Sequence, residues 1–244
     1  MAMTQLPQIT AVNGGKFWCA DTFDTFRVKA FVPDCELPAD IINYGFEAPY
    51  LLVFEESERS PEEAVAWAKE SGLAQIASRY AGSVVFVYPK AADGWAGADV
   101  TLFQELIANS KIHQYFTDGC VTMRNRFTGE PAGFFIRGAI FRTFLYGFGA
   151  SADYIAKNLL TTVNGEFLWG PGEITPAVCT LERLSFVPAP ERSDIPVVSV
   201  ANGNDVNKAL SEGCDHLLVR DRADYGFEFD TFHQRHYSRY RGHS

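Results

Sequence analysis

The sequence predicts an α/β protein with a mostly parallel central sheet and helices on both faces. Continuous apolar runs at residues 51–54 and 84–88, and the largely apolar run 197–200, are typical of strands that are buried on both sides. Segments with helical spacing of apolar residues separate these runs. The 244 residues are 47% hydrophobic and 21% charged, which is the composition of a folded chain that is long enough for one full core.

The first half of the chain supplies the clearest elements. Apolar side chains at 26, 28, 30 and 32 alternate with other residues before Pro33, which predicts a strand near the sheet edge. The apolar run 50–54 predicts the next strand. Ser60 then provides an N-cap for a helix over 61–69, with Pro61 in its first turn. A short helix over 74–80 precedes the apolar strand 83–88.

The same alternation continues in the second half. Helical spacing predicts helices at 99–109, 152–160 and 206–210, and apolar runs predict strands at 142–148, 195–200 and 216–219. Residues 134–139 fit a helix and a strand equally well. The expected central strands are 51–54, 84–88, 144–146 and 197–200. We therefore predict one domain over residues 1–244.

One internal segment stands apart from this alternation. Residues 112–135 contain turn signals at Gly119 and Gly129 and several aromatic side chains. They are a candidate lid or insertion in an enzyme, or alternatively a strand pair at the sheet edge.

Charge and cysteine usage exclude several classes of protein. The chain has 21 Lys and Arg against 30 Asp and Glu, a net charge of -9, which disfavours nucleic acid as a partner. No apolar run approaches the roughly 20 residues of a membrane span, and no secretory signal precedes residue 10. The five cysteines show no CxxC spacing. We expect a cytoplasmic protein without membrane contact, metal or cofactor.

Three short motifs occur in a specific order. The segment WAKESGLAQIA occupies 67–77, an apolar strand ends in Tyr88-Pro89, and the turn Gly94-Trp95 follows. Together they resemble the front half of the polyhydroxybutyrate-depolymerase and feruloyl-esterase branch of the α/β hydrolases. Residues 142–156 resemble the strand, sharp turn and helix of that family's nucleophile elbow. The resemblance covers residues 50–205 and implies an esterase-like fold acting on a small ester or acyl ligand.

The elbow motif of that family is G-x-S-x-G, and this chain departs from it. Aligned on the strand, Gly147 matches the first glycine and Gly149 takes the place of the serine. A shift of two residues instead makes Ser151 the nucleophile of a G-x-S-x-D motif. The unshifted register predicts a positive φ at Gly149 and a locally bonded Ser151 hydroxyl. The shifted register predicts a hydrogen bond from Ser151 to a histidine.

The oxyanion loop of the family also differs here. In place of His-Gly and small residues, the chain has the acidic run Glu55-Glu56-Ser57-Glu58 after its strand. Backbone N–H groups near Glu55 and Ala150 are the candidate oxyanion donors. The alternative is a solvated acidic loop that leads into a capped helix.

The family order Ser, Asp, His suggests the remaining members of a triad. Asp205 follows the strand 195–200 in a Gly-Asn-Asp turn, where it is either the triad acid or the cap of the next helix. His233 and His236 are the candidate bases. They lie three residues apart on an expected helix, without an evident third metal ligand.

Two functions from different classes follow. One is a carboxylic-ester hydrolase that uses Ser151, Asp205 and His233 or His236 for acyl transfer. The other is a hydrolase-fold protein with degenerate motifs that binds or assembles. We favour the second, because triad members act as a unit. Little chain remains for the helix that follows the histidine loop in that family, so we also expect a second copy or a partner chain at the C-terminal sheet edge.

Overall fold

The architecture is taken from a computed structural model, which describes residues 8–21, 23–34, 47–79, 82–108, 123–124, 131–132, 137–160, 178–189, 191, 195–215 and 217–221. Within these ranges, nine strands form one sheet in the order β1-β2-β3-β5-β4-β8-β9-β10-β11. The strands are β1 Gln8–Val12, β2 Gly15–Ala20, β3 Phe26–Pro33, β4 Glu47–Phe54, β5 Ser83–Pro89, β8 Arg137–Phe148, β9 Val178–Glu182, β10 Val197–Val200 and β11 Leu217–Arg220.

The sheet is mostly parallel, as the sequence predicts. Every neighbouring pair from β5 through β4, β8, β9 and β10 to β11 is parallel, whereas the pairs β1-β2, β2-β3 and β3-β5 are antiparallel. The four expected central strands all lie in the parallel part. Strand β3 lies third from one edge of the sheet, because the β1-β2 hairpin extends the sheet beyond it.

Helices cover both faces of the sheet. They are α1 Pro61–Glu70, α2 Leu73–Arg79, α3 Val100–Ala108, α4 Ala150–Leu159 and α5 Asn204–Gly213. Buried side chains of α1 and α2 pack in one hydrophobic cluster, and those of α3, α4 and α5 pack in a second. Because Leu51 belongs to the first cluster and Leu52 to the second, β4 is apolar on both faces.

The start of α1 follows from four consecutive residues. Ser60 accepts a hydrogen bond from the Glu63 backbone N–H, and the Glu63 carboxylate accepts one from the Ser60 N–H. This reciprocal pair is a capping box, with Pro61 in the first turn. The predicted helix start is confirmed.

Several elements differ from the sequence prediction. The ambiguous residues 134–139 contribute to β8 where the structure describes them, from Arg137 on. The hairpin β1-β2 and strand β9 were not expected. Helix α5 is longer at both ends than the predicted 206–210.

The candidate lid is described only in part. Strands β6 Met123–Arg124 and β7 Pro131–Ala132 pair antiparallel in a separate small sheet, and the rest of residues 112–135 lies outside the described ranges. The lid therefore stays a prediction. None of the helices in the described ranges is both long and apolar enough to cross a membrane.

Candidate functional site

Parallel pairing brings the carboxyl ends of four strands, β4, β8, β9 and β10, to one edge of the sheet. Phe54 at the end of β4 pairs with Gly147 of β8, and Phe148 pairs with Glu182 at the end of β9. Val200 at the end of β10 pairs with the same Glu182. The acidic loop after β4 and the turn after β8 therefore lie side by side. Ligands of open α/β sheets bind at this edge.

The candidate elbow is the turn between β8 and α4. Gly149 alone joins them, with φ +56° and ψ -122°, and its N–H donates to the Glu182 carbonyl at 2.8 Å. Few side chains tolerate this backbone conformation, which suits glycine. The structure thus has Gly149 at the tip of the turn, as the unshifted register predicts.

Gly147 has a separate role in the packing of the elbow. A Cβ atom on Gly147 would lie 2.8 Å from the Ala152 Cα and backbone N, and 2.7 Å from the Ile155 side chain. Two of these atoms belong to the α4 backbone and cannot swing aside. Gly147 therefore allows α4 to pack directly against β8.

Ser151 lies in the first turn of α4 and is fully buried. Its Oγ accepts a hydrogen bond from the Phe148 N–H at 2.8 Å and donates one to the Phe148 carbonyl at 3.0 Å. The hydroxyl proton is thus engaged locally, which is common for serine near a helix start. In this structure the side chain braces the turn.

The backbone donor that follows Gly149 is already occupied. The Ala150 N–H donates to Glu56 Oε1 at 3.0 Å. The same oxygen would lie 2.7 Å from a Cβ atom built on Gly149. A carboxylate from the acidic loop therefore occupies the space next to the turn, where an elbow holds its nucleophile and oxyanion donor.

Glu55 corrects two sequence expectations. Its N–H donates to the Val87 carbonyl at 3.2 Å, so that group is engaged in the sheet and does not face an oxyanion. Its carboxylate is buried rather than solvated, and it accepts a hydrogen bond from Arg59 Nε at 2.9 Å. Burial raises the pKa of Glu55, while the Arg59 hydrogen bond and charge oppose the rise.

Asp205 is the second residue of α5, and its side chain is exposed. The N-cap of this helix is Gly203, which makes no side-chain capping bond, so Asp205 is not the cap. A triad acid bonds the histidine base rather than the serine, so the role of Asp205 in a triad stays a prediction. His233 and His236 lie outside the described residues.

Sequence reasoning missed two polar residues at this edge. One is Glu56, which contacts the elbow. The other is Asn202, whose Oδ1 accepts a hydrogen bond from the Leu184 N–H at 2.7 Å and ties the loop after β9 to β10. Each is a polar residue two positions after the end of a buried strand, and this was the available signal for both.

The described part of the chain contains no cluster of metal-ligating side chains. No group of three His, Cys, Asp or Glu side chains there could hold an ion. The arrangement instead offers a helix N-terminus, a tightly packed turn and carboxylates from the neighbouring loop.

Comparison with known proteins gives structural likeness only. No protein-family model matches the chain, and no curated protein matches it. An α/β-hydrolase enzyme from a Medee basin deep-sea metagenome library is 12% identical with a TM-score of 0.47, covering 96% of this chain and 98% of that one. A protein described as a carboxylesterase from Lactobacillus plantarum is 11% identical with a TM-score of 0.45, covering 96% and 95%. A puromycin hydrolase is 12% identical with a TM-score of 0.46, covering 94% and 38%.

Structural likeness at 11–12% identity carries no information about activity. The function therefore has to be argued from the residues of the site. The chain is thus an α/β protein with a mostly parallel sheet that helices cover on both faces.

Proposed function

We propose that this protein is a degenerate, esterase-like α/β-hydrolase-fold protein that acts in binding or assembly rather than in serine hydrolysis. The observation that carries the proposal is Gly149, which occupies the tip of the strand-to-helix turn with φ +56°. An elbow uses this position to present its nucleophile. A glycine there has no side chain to attack an ester.

Ser151 is a poor replacement for the missing nucleophile. Its side chain is fully buried, and its proton is donated to the Phe148 carbonyl. Activation requires a base within hydrogen-bond reach of that proton. Attack would therefore require Ser151 to break two hydrogen bonds and leave the Phe148 N–H without its acceptor.

The surroundings of the turn also oppose acyl transfer. A tetrahedral intermediate places negative charge at the backbone N–H groups of the oxyanion hole. Here the Ala150 N–H already binds the Glu56 carboxylate, and the Glu55 N–H belongs to the sheet. Glu56 would repel the developing charge instead of stabilising it.

A binding or assembly role is supported by apolar side chains that stay exposed. Phe186 and Val187 follow β9 and are 38% and 52% exposed, and Val219 on β11 is 53% exposed. A small ester or acyl compound, a second copy of the chain or a partner chain are the proposed binding partners. Sedimentation velocity at micromolar concentration tests assembly, and a strict monomer at all concentrations would contradict that part of the proposal.

Hydrolysis of short-chain p-nitrophenyl esters tests the catalytic part. We expect the wild type, Ser57→Ala and Ser151→Ala to hydrolyse the esters at the same background rate, since neither serine attacks an ester. Ser57 is the matched control, because it lies in the exposed loop after β4. Turnover that the Ser57 variant keeps and the Ser151 variant loses would favour the active Ser151, Asp205 and histidine hydrolase instead.

A further inference from the structure

One carboxylate oxygen fills the empty position at the elbow. Glu56 Oε1 lies 3.0 Å from the Ala150 backbone N and 2.7 Å from the point where a Cβ of residue 149 would stand. The first distance is a hydrogen bond and the second is closer than any real Cβ contact. Both measurements therefore place the oxygen in space that another side chain would need.

The contact satisfies a requirement that Gly149 leaves open. Gly149 is the N-cap of α4 but supplies no side-chain capping bond, and a helix N-terminus carries partial positive charge. Glu56 comes from the loop after β4, 94 residues earlier in the chain, and provides the missing acceptor. Glu56 thus caps α4 from a distant part of the chain.

Glu56 differs in this respect from the other acids of its loop. Glu55 pairs with Arg59 at 2.9 Å, and Glu58 pairs with Lys29 at 3.1 Å and Arg27 at 3.6 Å. Those carboxylates hold the loop to β3 and to the start of α1. Glu56 is the acid of this loop that reaches α4.

We propose that Glu56 is a built-in occupant of the elbow, an autoinhibitory contact that keeps the carboxylate or carbonyl oxygen of an acyl ligand away from the Ala150 N–H. The inference deepens the proposed function, since it treats the elbow as a closed binding position rather than a reactive one. Glu56 is an exposed residue of the loop after β4 and belongs to neither hydrophobic cluster of the core.

A double-mutant cycle tests whether Glu56 occupies the space next to Gly149. Glu56→Ala should lower the Tm of the wild type by about 2–4 °C, the effect of losing one helix cap in a chain of this size. A methyl group in Gly149→Ala displaces the carboxylate, so Glu56→Ala should cost less than a third as much in that background. An equal loss of Tm in both backgrounds would overturn the proposal.

Acetate tests whether removal of Glu56 opens the position, and it does not require Gly149→Ala to fold. At matched ionic strength, acetate should raise the Tm of Glu56→Ala more than that of the wild type. Glu58→Ala is the matched control, because it removes an acid of the same loop that binds Lys29 and Arg27. An equal response of all three proteins would overturn the inhibitory role. Ester turnover is not measured, so these results stand apart from the test of the proposed function.

Discussion

Helices α1 and α4 both follow a buried parallel strand at the same edge of the sheet, yet their first turns are stabilised in different ways. Helix α1 is capped by its own neighbours, through the reciprocal hydrogen bonds of Ser60 and Glu63. Helix α4 begins after Gly149, which has no side chain, and receives its acceptor from Glu56 of the loop that precedes α1. The α4 turn is thus completed by a distant part of the chain.

The two turns differ in how their backbone N–H groups are satisfied. A self-capped turn such as that of α1 satisfies two of its backbone donors, the Ser60 and Glu63 N–H groups, with its own side chains. The elbow before α4 has the geometry that holds a nucleophile, but its tip residue is glycine and its donor is taken. The geometry of the turn is present, and we propose that it carries no catalytic chemistry.

The largest expected effect comes from the packing of the elbow. Gly147→Ala forces a methyl group to within 2.8 Å of the α4 backbone. We expect a loss of about 2–3 kcal/mol in the free energy of unfolding, because the backbone cannot move aside. Urea unfolding measures it. Gly203→Ala is the matched control: its methyl group meets nothing within 4 Å, and about 0.5 kcal/mol is expected. Equal costs at the two glycines would contradict the close packing of α4 on β8.

A smaller effect is expected at the serine that braces the turn. Ser151→Ala removes the acceptor of the Phe148 N–H and should destabilise the protein by about 1–2 kcal/mol. Ser57→Ala, in the exposed loop, should stay within about 0.5 kcal/mol of the wild type. A Ser151 variant as stable as the wild type would mean that the hydroxyl is free of Phe148, as the shifted register requires.

The smallest effect concerns the cap of α1. Ser60→Ala should cost about 1 kcal/mol. Hydrogen bonds from the Ser60 backbone and hydroxyl lower the pKa of Glu63 below its usual 4.5. The stabilisation from Glu63 is therefore complete above pH 4.5 and is lost as the pH falls through the lowered value. An NMR titration should find the Glu63 midpoint below 4.5 in the wild type and closer to it in Ser60→Ala. Identical midpoints would show that α1 is not self-capped.

The sequence predicted elements whose causes are local. Helix α1 depends on Ser60 to Glu63 and was located at its first residue. The start of α4 remained ambiguous by two residues, because Glu56 lies 94 positions away and no local pattern reports the contact. The burial of Glu55 was missed for a different reason: its partner Arg59 is only four residues away, but acidic runs are usually solvated.

The unexpected hairpin β1-β2 and the unexpected strand β9 had sequence signals of different strength. Val12 pairs with Gly15 across Asn13 and Gly14, and Gly14 has φ +84°. Asn-Gly is the strongest short hairpin signal, so β1 and β2 were predictable. Strand β9 has only the five residues VCTLE, and its burial comes from β8 and β10 on either side. A run this short and mixed does not identify a strand by itself.

Labelling with a fluorophosphonate tests the central claim, that this elbow carries no serine nucleophile, most directly. The folded wild-type protein is incubated with the probe beside a known serine esterase and then examined by intact mass and peptide mapping. We expect no adduct on the wild type, because residue 149 is glycine and the Ser151 hydroxyl is buried and bonded to Phe148. One stoichiometric adduct that maps to Ser151 and is absent from Ser151→Ala would contradict the account.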